Sequence, residues 1–148
     1  MVDSIGDYMN VWIFQDQPGK SMAELLQMEG VGCTWVWNVD RYVQEATTPH
    51  IQQGDIVLQW QPYLSQAAPA GIYAQAEVRR APYCSLNEKS HWQTDVQITH
   101  ILPEPLPLET IKATRNTVLL DMLIVRMPGG HIVFPVRPVA WSALQQLL

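Results

Sequence analysis

Gly54-Asp55-Ile56-Val57-Leu58-Gln59-Trp60 is the stretch that decides the fold class of this chain. A Gly-Asp turn signal is followed by five residues rich in β-branched and aromatic side chains, the composition of a strand. Pro62 ends it, and Ser65–Pro69 reads as a polar loop of small residues. Upstream, Val11-Trp12-Ile13-Phe14 is a second short strand, closed by the turn Gln17-Pro18-Gly19, and Pro49 helps to introduce the Gly54 turn. Downstream, Gly71–Val78 alternates, with Ile72, Ala74, Ala76 and Val78 on one face and Tyr73, Gln75 and Glu77 on the other. Val96 and Ile98 alternate within a strand over Trp92–Ile101, and Ile132-Val133-Phe134 follows the turn Pro128-Gly129-Gly130.

Helical signals are fewer. Ser21 with Glu24 three residues on is a capping box for a helix over Met22–Met28, which Gly30 ends. Pro103, Pro105 and Pro107 read as a stiff connector, after which Leu108-Glu109-Thr110-Ile111 can begin a helix. Val118–Arg126 fits helix or strand. Pro138 opens a closing helix that offers Val139, Leu144, Leu147 and Leu148 to a core, with Trp141 also inside. Strands outnumber helices, so the expected class is α+β: a small barrel or curled sheet with peripheral helices.

Composition narrows the function. The 148 residues suit one domain over 1–148, and 47% hydrophobic against 16% charged residues excludes a disordered chain. The run Val118–Val125 is broken by Asp121, so no bilayer span is expected, and the acidic start does not read as a signal peptide. A cytoplasmic location follows as an expectation, with Cys33 and Cys84 as free thiols. The net charge of −5 argues against a non-specific nucleic-acid coat. Residues 1–74 carry two basic residues against eight acids, and residues 75–148 carry seven against six. Any polyanion contact should lean on the second half.

Trp35-Val36-Trp37-Asn38-Val39-Asp40-Arg41-Tyr42 follows neither regular apolar period. Flat rings interleaved with Asn, Asp and Arg are what holds a planar polar ligand: a face to stack on and edge groups to read it. The competing reading makes these indoles core anchors.

Taken in order, these pieces resemble the EVE domain, a branch of the PUA-like superfamily. The carriers are Trp12-Ile13-Phe14-Gln15 with Pro18, then Trp37 through Tyr42, then Gly54-Asp55-Ile56-Val57 with Trp60. Ala70-Gly71-Ile72-Tyr73-Ala74 and Phe134-Pro135-Val136, before the helix with Trp141, complete the set. Related members often have Asn-Pro where this chain has Gln17-Pro18, and Gly where it has Ala76. The resemblance implies a PUA-like mixed β-pseudobarrel flanked by short helices, which receives one nucleobase, often a modified one. Carried residue by residue, it puts the pocket among Trp12, Phe14 and Gln15; Trp37, Asn38 and Arg41; and Trp60 and Gln61.

The reading is therefore a non-catalytic module that captures a modified base of RNA or DNA, with no cofactor, no metal and no membrane partner. Trp37 and Trp60 are expected to wall one slot. Arg41 is a candidate phosphate contact, with a surface pair to Asp40 or Glu45 as its alternative. Arg126 is a second phosphate candidate, while Arg79-Arg80 reads as a solvated face. Two other readings stay open. One is a pocket for a free nucleoside on the same fold. The other is an enzyme, because Asp55, Glu77 and Arg79 echo a metal-dependent nuclease, although Arg stays protonated where such sites carry Lys. The four histidines are too dispersed for metal-ligand spacing.

Overall fold

A computed structural model of the chain describes residues 10–15, 21–45, 50–86, 91–126 and 132–148. The expected turns at Gln17-Pro18-Gly19, Pro49 and Pro128-Gly129-Gly130 lie outside the described residues. The strands are β1 (Val11–Gln15), β2 (Thr34–Asn38), β3 (Ile56–Gln61), β4 (Gly71–Ser85), β5 (His91–Pro107) and β6 (Val133–Val136). The helices are α1 (Met22–Glu29), α2 (Asp40–Glu45), α3 (Leu108–Ala113), α4 (Thr117–Leu120), α5 (Leu123–Arg126) and α6 (Pro138–Gln145). The strands form a six-stranded sheet in the order β2-β5-β4-β3-β1-β6. Strands β1 and β3 run parallel and the other neighbours antiparallel. This is the α+β class that the strand and helix signals indicate.

Local chemistry accounts for the element ends. Ser21 Oγ accepts the Glu24 N–H at 3.3 Å, and Gly30, at φ 77°, closes α1 in a conformation that suits glycine. Pro138 sits in the first turn of α6, where its missing N–H costs nothing. The mixed period of residues 35–42 has a simple cause: strand β2 ends at Asn38 and α2 begins at Asp40. Asn38 Oδ1 accepts the Asp40 N–H at 3.0 Å, so one side chain ends the strand and starts the helix. The segment Val118–Arg126 resolves into helix, as α4 and α5.

Each face of the sheet covers its own core. One core joins Val11, Ile13, Leu58, Trp60 and Phe134 to Ile111, Leu119, Ile124 and Leu144 from the later helices. The other joins Trp12, Phe14, Val57, Val96 and Ile98 to Met22 and Leu26 of α1 and Val39 before α2. Trp35, Trp37 and Tyr42 pack against the second core.

Three expectations are corrected. The alternation over Gly71–Val78 breaks, because Ile72 joins the first core while Tyr73, Ala74, Ala76 and Val78 join the second. Tyr73 is the extra residue of a bulge against β3, between the Gln59–Ala74 and Trp60–Ile72 pairs, and a bulge of one residue reverses face parity. The Pro103–Pro107 stretch is not a connector but the end of β5. Ile72 pairs with Leu106 and Ala74 with Ile101, so Pro103 and Pro105 fall in an excursion that asks for no ladder N–H. Val139 faces solvent rather than the core.

The sheet curls. Trp37 on β2 and Phe14 on β1 stand four strand spacings apart in the sheet order, about 19 Å if the sheet were flat. Their ring centroids are 5.4 Å apart. Only a sheet rolled around the second core brings those strands into contact. Gly71 is one tight point in this roll, since a Cβ there would meet the Leu106 carbonyl oxygen at 2.2 Å.

Candidate functional site

The candidate site residues gather on the inner face of the rolled sheet. Alternation along β1 sends Trp12 and Phe14 inward, and the parallel register sets Trp12 beside Val57 and Phe14 beside Gln59. Trp37 approaches Phe14 edge-on from β2, at an interplanar angle of 70°. Around Phe14 two polar groups are left over. The Trp37 indole N–H and both atoms of the Gln59 amide are buried without a hydrogen-bond partner among the described residues. Gln59 is 0% exposed. Buried polar groups in folded proteins are nearly always paired, so orphans on two residues that neighbour Phe14 call for an explanation. A planar ligand with matching edge groups supplies one.

The neighbouring aromatics are held rigidly. Trp12 Nε1 donates to Asp55 Oδ2 at 2.9 Å, and the Trp12 ring meets Tyr42 at 5.6 Å and 83°. The Asp55 carboxylate also accepts the backbone N–H groups of Asn10 and Gln52. The Tyr42 hydroxyl accepts the Ile51 N–H at 2.8 Å, and burial raises the pKa of its phenol. Three donors thus converge on Asp55, and Arg79 pairs with Glu77 at 3.2 Å. Among the described residues no three His, Cys, Asp or Glu side chains form a metal-binding group.

The residues expected at the site divide. Phe14 and Trp37 come together, with Trp12 one step away behind Tyr42. Asn38 and Arg41 are exposed next to them, on either side of the β2–α2 junction. Gln15 is buried at the end of β1, and its backbone N–H donates to Ile132 O at 2.7 Å. Gln61 lies on the inner face, but its amide is spoken for: Oε1 accepts the Met22 N–H and Nε2 donates to Ala68 O at 3.3 Å. It anchors the start of α1.

Trp60 does not share a slot with Trp37. It is 1% exposed in the other core, on the outer face of the same strand that carries Gln59. The reason is parity: along β3, residues 56, 58 and 60 face one way and 57, 59 and 61 the other. Arg126 is equally remote, on α5 in the layer that covers the outer face, 3.8 Å from Asp121. Gln59 is the member that sequence reading passed over. An amide inside an otherwise apolar run was the available signal.

Two further concavities are open. A groove of about 410 Å³ lies on the outer face, where Trp141, half-buried rather than sealed in the core, stands over Leu58, Ile72 and Leu102. A smaller one of about 280 Å³ lies beside α2, between Tyr42 and Trp92. Cys33 and Cys84 are free thiols. No helix among the described residues is long and apolar enough to cross a membrane.

The family model for the EVE domain matches residues 10–147. No curated protein matches the chain in sequence. Among solved structures the chain is similar to a hypothetical protein from Leishmania major, with 20% identity, 95% of each chain covered and a TM-score of 0.71. It is similar to the DUF55 domain of human thymocyte nuclear protein 1, with 12% identity over 93% of this chain and 97% of that one and a TM-score of 0.67. It is also similar to human THYN1 solved in complex with 5-methylcytosine-containing DNA, with 14% identity, coverage of 93% and 96%, and a TM-score of 0.65. At these identities the likeness is one of fold, and that fold is PUA-like.

Proposed function

The chain belongs to the EVE domain family, and we propose that it captures one nucleobase, a modified one, from a nucleic-acid strand between Phe14, Trp37 and Gln59, without chemistry on the base. The observation that carries this reading is the pair of buried polar groups, unpartnered among the described residues, next to Phe14: Gln59 is its register partner and Trp37 meets its ring edge-on. Trp37 Nε1 can only donate, whereas the Gln59 amide donates and accepts. The complementary ligand edge has two acceptors and a donor, the set that cytosine offers with O2, N3 and its amino group. Aromatic faces replace the stacking that an extruded base gives up, about 1–3 kcal/mol per base. The similar fold of human THYN1, solved in complex with 5-methylcytosine-containing DNA, supports a base of this class. A 5-methyl group adds only about 0.8 kcal/mol on burial, so shape and hydrogen bonding must supply most of the discrimination.

The test is direct binding. Pentanucleotides centred on each of the four bases and on 5-methylcytosine are titrated against wild type, Trp37→Ala and Gln59→Leu. The reading expects both variants to lose at least tenfold for the preferred centre. Unchanged affinity in both variants overturns it.

A further inference from the structure

We infer that the concavity between Tyr42 and Trp92 is a second base site, which holds the nucleotide next to the captured one along the same strand. This rests on the base-capture reading and extends it from a single base to a strand. The concavity has a volume of about 280 Å³ and is lined by Tyr42, His50, Ile51, Pro82 and Trp92. Its volume is enough for one heterocycle.

Its position is set by register. Trp37 pairs with Thr94, so Trp92, two residues along β5, is the diagonal neighbour of Trp37 on the same inner face. The Val39 N–H donates to Trp92 O at 2.9 Å, which locks the strand end carrying Trp92 against the chain that carries Trp37. Tyr42 belongs to both places. It packs on Trp12 beside the first site and lines the second.

Trp92 is a large aromatic left 38% exposed, although indoles are usually well covered. Its neighbours explain what it waits for. Arg41 precedes Tyr42 in the chain, and Arg80 precedes the Ala81-Pro82 segment of the rim; both are exposed. The Arg80 guanidinium lies 3.5 Å over the Tyr83 ring, which orients it at the rim. The nearby acids are engaged by the protein itself: Asp40 accepts the backbone N–H of Trp92, and Asp95 accepts the Tyr83 hydroxyl at 2.7 Å. A half-exposed indole with an arginine next in the chain to each of two lining segments suits a base whose flanking phosphates those arginines can reach.

The experiment compares a mononucleotide with a single-stranded pentanucleotide, both carrying the preferred base of the panel above, on wild type, Trp92→Ala, Trp92→Phe and Trp37→Ala. Thermal midpoints are recorded for each variant. Wild type should bind the pentanucleotide more tightly than the mononucleotide. Trp92→Ala should erase that advantage, a loss of about tenfold or ~1.4 kcal/mol, while leaving mononucleotide binding intact, and Trp92→Phe should restore part of it. Trp37→Ala should weaken both probes. A pentanucleotide affinity unchanged in Trp92→Ala, with Trp37→Ala still defective, overturns the second site and spares the first. A Trp37→Ala protein that binds both probes like wild type, or a wild type that binds none of the panel, overturns both.

Discussion

Trp12 and Asp55 are joined by a buried hydrogen bond of 2.9 Å between the indole N–H and a carboxylate that is itself only 2% exposed. That bond ties the first strand of the sheet to the turn before the third. With Asn10 and Gln52 donating to the same carboxylate, it gives Asp55 a structural task. Asp55→Ala strands three donors, and an unfolding midpoint reporting a loss of about 3 kcal/mol is expected. Asp55→Asn, which keeps an acceptor, should lose less. A nuclease would show the opposite profile, a stable variant whose metal-stimulated cleavage vanishes.

Gln59→Leu should separate stability from binding. The amide has no partner among the described residues, and leaving such a group buried costs about 1–3 kcal/mol. Replacing it with an apolar side chain of similar size should raise the thermal midpoint while weakening base capture. A lowered midpoint would mean that the amide is a structural element instead.

Gly71 faces the backbone of Leu106 and Pro107 at 2.2 Å and 2.8 Å from where a Cβ would stand. Backbone cannot swing aside as a flexible side chain can. Gly71→Ala should cost about 1–3 kcal/mol through overpacking. Urea denaturation measures it directly.

Alkaline pH should weaken the fold through Tyr42. Burial raises its pKa above the usual 10.0 in the folded state, so between the unfolded and folded values the native chain holds a proton that the unfolded chain has lost. Stability then falls as pH rises through that window. Tyr42→Phe loses the bond from Ile51 and should be less stable at pH 8, with the gap to wild type narrowing above pH 10. Urea midpoints measured across this range test the sign.

Ionic strength distinguishes a strand from a free nucleoside. A strand bound with one phosphate at Arg41 and one at Arg80, as proposed, would make the logarithm of the binding constant fall with the logarithm of salt at a slope of about −1.4, at ~0.7 per phosphate on a single strand. Arg80→Gln should halve it. A slope near zero with oligonucleotides would favour a pocket for uncharged nucleosides.

Much of this was legible without coordinates. The cap at Ser21 and Glu24, the stop at Gly30, the strand after Gly54 and the helix opened by Pro138 are local decisions. They depend on hydrogen bonds and dihedral preferences within a few residues. Trp37 was legible as a site candidate because its ring is set among polar residues, whereas Phe14 entered through the family resemblance alone.

Which residues share a wall was not legible. The central strands are buried on both faces, so their apolar runs say that a strand exists but not which way each side chain points. The resemblance placed Trp60 with Trp37 and nothing in the apolar run opposed it; the same ambiguity hid Gln59 between Leu58 and Trp60 and concealed the bulge at Tyr73. The amino-acid sequence alone determined the elements and their class, because propensity, caps and turns act over short range. The rolling of the sheet, which carries Trp37 across four strand spacings onto Phe14, was decided only by tertiary packing: long-range register and a one-residue bulge settle which face each side chain joins.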